Sequence, residues 1–169
     1  MTGMAAPVVG RFRTAQALIG GGCAVFVLAL AIAAVFEPGL RWLHFFQALM
    51  YVAAWALGRR GNRWGYFIGS SAAAFWNYIL LFVSPIPAQL AADPTRPDLL
   101  IQAAAWVANL LIIVGSIRCT LGPLDRSHAD LARLAAAFVG TTAYLAAAVA
   151  LFSPERLEIF VQALHPHWP

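Results

Sequence analysis

Long apolar runs separated by short polar breaks make up most of the chain. Each of five runs is close to the roughly 20 residues that a helix needs to cross a bilayer. The breaks hold Gly, Pro and Arg, residues that end helices or stay outside lipid. The pattern predicts an all-α bundle of five transmembrane helices, spans one to five, at about 14–36, 40–58, 64–84, 99–117 and 130–152.

Two further expectations concern the ends of this pattern. Ser153 and Pro154 form a helix-start signal, which predicts a short amphipathic helix at the surface over residues 155–164. In span one, Ala31 and Ala33, on either side of Ile32, resemble the small-residue pattern of a secretory cleavage site, but the apolar run is longer than is usual for that role. We expect span one to be retained, with cleavage as the alternative.

The overall composition makes lipid the expected solvent. Hydrophobic residues account for 62% of the 169 residues and charged residues for 11%, and the mean hydropathy is +0.75. Soluble domains carry about 25% charged residues. Because the spans take up most of the chain, residues 1–169 are predicted to form a single integral membrane domain, with the lipid bilayer as a partner.

The basic residues indicate how the chain is inserted. All are Arg, and they are spread over short loops instead of forming a stripe, which argues against nucleic-acid binding. Eight of the 11 lie in the amino-terminal segment, in the loop between spans two and three, or around the loop between spans four and five. Because such residues collect in cytoplasmic loops, we expect the amino terminus inside and the carboxyl terminus outside a bacterial-type inner membrane.

Three spans carry polar residues at positions that are costly in lipid unless they serve packing or binding. Helical spacing places those of spans two and four along one face of each helix. Counting from the outer ends puts Gln47 level with Asn77, and Tyr51 level with Asn109. We therefore expect spans two, three and four to meet along a polar seam in the outer half of the bilayer. Its residues are His44, Gln47, Tyr51, Asn77, Tyr78, Gln102, Trp106 and Asn109.

The polar seam has two interpretations. Hydrogen bonds between helices hold many membrane bundles together, so the simpler interpretation is structural. The other is a ligand-binding pocket, in which the amides orient the ligand and Trp55, Trp76 and Trp106 form apolar walls.

Glycines suggest a second kind of surface. Gly65 and Gly69 form a GxxxG pair in span three, a signature of close helix packing either inside a bundle or between protomers. With the glycines at 20–22, this pair favours an interaction or assembly subunit that forms a homo-oligomer or joins a larger membrane complex. The alternative function is a small-molecule-binding or facilitator protein that uses the polar seam.

The sequence assigns no catalytic residue, metal or cofactor. It lacks a Ser/His/Asp set, an HExxH motif, a paired intramembrane carboxylate and a phosphate-binding loop. His44 is the only histidine within a span, which argues against a haem held by two histidines. His165 and His167 fall on the same side as His44 and Glu37, but a solvated tail is the simpler interpretation, so no metal is predicted.

In size, number of predicted spans and tryptophan content, the chain resembles the tryptophan-rich sensory protein family, which binds porphyrins and related apolar ligands. The first external loop here reads EPGLRW and lacks the Trp- and Pro-rich motif of that family. No residue of this chain is therefore assigned a role from the resemblance.

Overall fold

The computed structural model describes residues 6–83, 85–120 and 128–156, which form an all-helical bundle with no strand among them. A short helical turn at Pro38–Leu40 precedes the second helix, a π-helical turn at Ile79–Val83 extends the third, and another turn at Pro154–Arg156 follows the last. In chain order the helices are α1 (Ala6–Phe36), α2 (Arg41–Arg59), α3 (Arg63–Tyr78), α4 (Ile86–Ala92), α5 (Pro97–Thr120) and α6 (His128–Phe152).

The predicted all-α class is confirmed, while several bounds differ from the predicted spans. Helix α1 begins at Ala6 instead of near residue 14, and α5 is longer than span four at both ends. The regular part of α3 stops at Tyr78, and the Pro-rich connection that follows contains the short helix α4. The helix predicted over 155–164 lies almost entirely outside the described residues.

Three helical segments are long and apolar enough to cross a membrane: Arg13–Phe36, Pro97–Thr120 and Asp130–Phe152. Segments Arg63–Phe82 and Ile86–Ala92 meet the same criterion only as one bent unit, with 46° between them. Helix α2 is not among the candidates, since its polar side chains lower its hydropathy. The structure thus indicates a membrane protein by the length and composition of three helices.

Helices α1 and α5 approach each other through glycine. A Cβ atom added to Gly22 would lie 2.6 Å from Ile112 Cγ1 and 2.7 Å from the Ala108 carbonyl oxygen. One added to Gly115 would lie 2.7 Å from Ile19 Cγ1. Because the earlier residue of α1 meets the later residue of α5, the two helices run antiparallel, almost backbone to backbone.

Helices α2 and α3 form an antiparallel hairpin around a tight turn. Gly61 has a φ of +72°, a conformation that favours glycine, and the Asn62 side chain accepts a 3.0 Å hydrogen bond from the Trp64 N–H at the start of α3. A Cβ atom at Gly65 would lie 2.2 Å from the Gly58 nitrogen. The hairpin is therefore closed by direct contact between two helix backbones.

Helix α6 is tied to the hairpin by polar contacts at both ends. Asp130 pairs with Arg63 of α3 and with Arg133 one turn further along α6. Near the other end, the Tyr144 hydroxyl donates a 2.9 Å hydrogen bond to the Phe46 carbonyl oxygen of α2. These contacts place α6 parallel to α3 and antiparallel to α2.

The bundle has two chemically different ends. Gln16 donates a 3.2 Å hydrogen bond to the Gly58 carbonyl oxygen, so α1 and α3 begin where α2 ends. We name this the arginine end, because seven of the ten described arginines lie there: residues 11, 13, 59, 60, 63, 118 and 133. The opposite end, where α1 ends and α5 begins, is the cavity end.

Gly65→Ala is expected to destabilise the bundle, since the new methyl group would meet α2 backbone that cannot move independently. Overpacking of this kind costs about 1–3 kcal/mol and should lower the thermal unfolding midpoint in detergent. Gly21→Ala is the matched control, because no heavy atom lies within 4 Å of its Cβ position. Equal midpoints for the two variants would contradict close packing of α2 and α3 at Gly65.

Candidate functional site

A cavity of about 520 Å³ lies at the cavity end, enclosed by α1, α2, α3 and α5 with one residue of α6. Small-molecule sites span about 300–1,000 Å³, so the space is sufficient for a ligand. Most of the lining is apolar or aromatic. The lining residues are Phe26, Ala29, Leu30, Ala33, Phe36, Glu37, Leu43, His44, Gln47, Trp76, Ile79, Leu80, Asp98, Ile101, Gln102, Ala105 and Val149.

His44 and Gln47 form a polar pair on the α2 wall of the cavity. The His44 Nδ1 and Gln47 Oε1 atoms are 3.2 Å apart. Since an amide oxygen only accepts, Nδ1 is the donor in this contact, and in the neutral tautomer with that proton Nε2 is an acceptor, an assignment that rests on the hydrogen-bond network. His44 Nε2 is buried and has no hydrogen-bond partner among the described residues. It can accept a hydrogen bond from a ligand.

Tyr51 and Asn109 form the floor beneath this cavity. The Tyr51 hydroxyl donates a 2.9 Å hydrogen bond to Asn109 Oδ1, and both residues are 0% exposed. The Phe26 ring, which lines the cavity, stacks on the Tyr51 ring with 4.0 Å between centroids. Tyr51 therefore lies one layer deeper than the cavity wall, in hydrogen-bond contact with α5.

Below the floor the helices are closely packed around Ile112, which is fully buried. A Cβ atom at Gly69 would lie 3.3 Å from both the Ala54 Cβ and the Ile112 Cγ2 atom, and Gly22 contacts Ile112 from α1. This layer joins α1, α2, α3 and α5 without space for a solute. The cavity is therefore blind on the side of the arginine end.

Two residues that line the cavity, His44 and Trp76, carry buried polar atoms without a hydrogen-bond partner among the described residues. Eight buried side-chain polar atoms lack a hydrogen-bond partner within the described part of the chain. Each such atom costs about 1–3 kcal/mol if nothing pairs with it, so an occupant able to donate and accept hydrogen bonds would stabilise this region. Five of the eight belong to the predicted seam or to Trp76: His44 Nε2, Trp76 Nε1, Asn77 Oδ1, Trp106 Nε1 and Asn109 Nδ2.

The structure brings five of the eight predicted seam residues together. His44, Gln47 and Gln102 line the cavity, and Tyr51 and Asn109 form its floor. Gln47 is only 2% exposed, so its amide lies in the interior of the bundle. The polar face of α2 and that of α5 thus meet.

The other three seam residues lie outside the cavity lining. Asn77 is buried nearby in α3. Trp106 packs against the cluster of Leu80, Ile86 and Leu99, which joins α4 to α5. Tyr78 is 37% exposed, and its ring lies beside Phe82 at the surface of the bundle, with 5.4 Å between centroids. Tyr78 therefore does not line the cavity.

Among the tryptophans expected as walls, Trp76 lines the cavity, whereas Trp55 lies at the arginine end. There Trp55 borders a small pocket of about 40 Å³ together with Gln16 and Tyr66. The Arg59 guanidinium carbon lies 5.1 Å from the Trp55 ring centroid, within the range of a cation–π contact. Trp55 thus belongs to the arginine end and not to the cavity.

Two parts of the site were not found from the sequence. Helix α1 supplies a whole wall, with Phe26, Leu30 and Ala33 on one face, but an entirely apolar span gives no polar contrast to identify that face. The π-helical turn contributes Ile79 and Leu80, and such turns are frequent at functional sites. Helical spacing of aromatic and small residues in α1 is the only signal that could have indicated its wall.

Among the described residues, no group of three or more His, Cys, Asp or Glu side chains is placed to hold a metal ion. His165 and His167 lie outside the described residues. Comparison of the chain with known protein families, curated proteins and solved structures finds no match.

Tyr51→Phe and Asn109→Leu are expected to be energetically coupled. Hydrogen bonds between membrane helices contribute about 0.6–1.7 kcal/mol, so the double variant should lose less stability than the sum of the single variants by that amount. Reversible unfolding in mixed micelles measures all four proteins of the cycle. Additive losses would show that the floor hydrogen bond contributes nothing.

Proposed function

We propose that this chain is a multi-pass membrane protein that binds a small molecule in the blind cavity. The observation that carries the proposal is a cavity of about 520 Å³ with mostly apolar walls and two buried polar atoms, His44 Nε2 and Trp76 Nε1, that lack partners among the described residues. A space of this kind is costly for a bundle whose role is only structural, because close packing would remove both the void and the unpaired atoms.

The competing role as an assembly subunit rests on the glycines at 20–22 and on the Gly65 and Gly69 pair. Most of these glycines pack against other helices of the same chain: Gly20 lies beside Trp55, and Gly22, Gly65 and Gly69 lie against neighbouring helices. Only Gly21 of this group has no neighbour within 4 Å. The glycines therefore favour an intramolecular packing role over an interface with a partner.

The closed floor favours binding over facilitated passage. A facilitator needs a path between the two ends, whereas the layer around Ile112 and Gly22 is packed to contact distances. The cavity as it stands resembles a receptor or carrier site that is open toward one end only.

We further propose five membrane crossings, with α2 as the second. The outward residues of α2 are large and apolar, including Phe45, Leu49 and Val52, while its polar residues Gln47 and Tyr51 are buried inside the bundle. Its 19 residues correspond to about 28 Å of helix, close to the bilayer core thickness of about 30 Å. Mean hydropathy underestimates how apolar the lipid-facing surface of such a helix is, because the average includes the buried polar face.

The asymmetry of arginines supports an orientation in which the arginine end faces the cytoplasm and the cavity opens outward, as the positive-inside rule requires. This orientation suits a bacterial-type inner membrane, with the amino terminus inside and the carboxyl terminus outside.

Labelling single cysteines tests the orientation. In a background with Cys23 and Cys119, which are both buried, changed to Ala, Thr95→Cys should react with an impermeant maleimide in intact cells. Arg60→Cys, in the α2–α3 turn, should react only after permeabilisation. The reverse result would invert the orientation, and labelling of both sites from outside would show that α3 and the segment after it do not cross.

A ligand retained during gentle extraction tests the binding function. Native mass spectrometry of the protein released from its own membrane should show a bound small molecule that is lost in Ala33→Trp, which fills the cavity. Ala147→Trp, at an exposed position on α6, is the matched control and should retain the ligand. Equal retention by both variants, or no bound molecule in the parent protein, would contradict the proposed function.

A further inference from the structure

We propose that the ligand of this cavity is an organic cation: a protonated amine attached to an apolar body about the size of an aromatic ring system. The inference deepens the proposed function and rests on it. Among the described side chains that line the cavity, the two that carry charge, Glu37 and Asp98, are both carboxylates. No Arg contributes to that lining, so the charge of the site selects against anions.

The two carboxylates approach the cavity from different elements. Glu37 follows the end of α1, where Pro38 begins the helical turn before α2, and Asp98 lies in the first turn of α5. Both residues are exposed, so their side chains lie at the mouth of the cavity, its open end, without the cost of burying a charge. A ligand ammonium group held at the mouth therefore lies near carboxylates from two elements, one of which, Asp98, is paired with Arg96.

The interior of the cavity complements the remainder of such a ligand. Phe26, Leu30 and Trp76 offer apolar and aromatic surface, and an aromatic face also attracts a cation that approaches it. On the α2 wall, His44 Nε2 is a buried acceptor without a partner among the described residues, which matches a ligand N–H donor. Trp76 Nε1 adds one buried donor for a single acceptor group on the ligand.

Arg96 competes with a ligand for the charge of Asp98. Its Nε atom donates a 3.1 Å hydrogen bond to Asp98 Oδ1, and its Nη2 atom donates one of 2.5 Å to Asp98 Oδ2. The hydrogen bond to Asp98 raises the pKa of the Arg96 guanidinium, so Arg96 remains protonated and neutralises part of the mouth. Both side chains of the pair are half exposed, which makes the ion pair weak and open to exchange with a ligand cation.

A matched set of three ligands tests the charge preference on the purified full chain in nanodiscs of zwitterionic lipid. Tryptamine, tryptophol and indole-3-propionate share an indole and differ in carrying an ammonium, a hydroxyl or a carboxylate. Equilibrium dialysis against empty nanodiscs as a blank should show saturable binding, with tryptamine about tenfold tighter than tryptophol, the ratio that about 1.4 kcal/mol provides. Indole-3-propionate should bind weakest.

Variants of the mouth locate the preference. Glu37→Gln combined with Asp98→Asn should reduce the affinity for tryptamine to that for tryptophol while leaving tryptophol binding unchanged. Asp93→Asn is the matched control, because it removes an exposed carboxylate that does not line the cavity. Arg96→Gln should change tryptamine affinity in the opposite direction, a severalfold gain, because Asp98 then loses its competing partner.

The outcomes separate the two levels of the proposal. Equal or tighter binding of tryptophol to the parent protein would overturn the cation assignment and leave the binding function standing. A tryptamine preference that survives the double substitution would overturn the assignment of the charge to Glu37 and Asp98. Saturable binding of none of the three would also overturn the cation assignment, while the binding function would still be judged separately by the ligand retained in native mass spectrometry.

Discussion

The close contact of α1 with α5 determines where this bundle can hold a cavity. At Gly22 and Gly115 the two helices approach so closely that a Cβ atom would lie under 3 Å from backbone and isoleucine side-chain atoms of the other helix. Toward the cavity end, α1 instead presents the larger side chains of Phe26 and Leu30 to the interior, where they line the cavity. Two helices in close contact in one half of the bundle cannot pack equally closely in the other half when large side chains lie between them there. The void and its closed floor are thus two consequences of one distribution of glycine and aromatic residues.

The sequence predicts those features of the bundle that depend on polar contrast. In α2 and α5 the polar residues are few, so their helical spacing identifies the inner face of each helix. Counting residues from the helix ends also assigns Tyr51 and Asn109 to the same depth, and these two residues form the floor hydrogen bond. The same reasoning fails in α1, since a uniformly apolar helix can present any face to lipid. It also places Tyr78 beside Asn77 in the seam, although neighbouring residues on a helix point about 100° apart. The π-helical turn depends on tertiary packing and has no local signal in the sequence.

The exposure of the polar residues falls steadily with depth. Glu37 and Asp98 are exposed at the mouth, His44 is partly buried on the wall, Gln47 is 2% exposed, and Tyr51 and Asn109 are completely buried at the floor. The order follows the free-energy cost of removing each group from water, which is highest for charges and lower for amides and hydroxyls that keep hydrogen bonds. A single chain can therefore combine a charged entrance with a lipid-embedded interior without burying an unpaired charge.

This gradient also assigns separate tasks to the parts of the site. Apolar surface contributes most of the free energy of binding, because burial at roughly 25 cal/mol per Å² accumulates over the whole body of a ligand. Charges at a half-solvated mouth contribute less to affinity, since water and Arg96 compete with the ligand for them. Their effect is instead to discriminate between ligands of similar shape, for which a difference of about 1.4 kcal/mol already gives a tenfold ratio. Under the proposed binding of an organic cation, a neutral analogue should therefore still enter the cavity, and the carboxylates would decide which of two similar molecules predominates there.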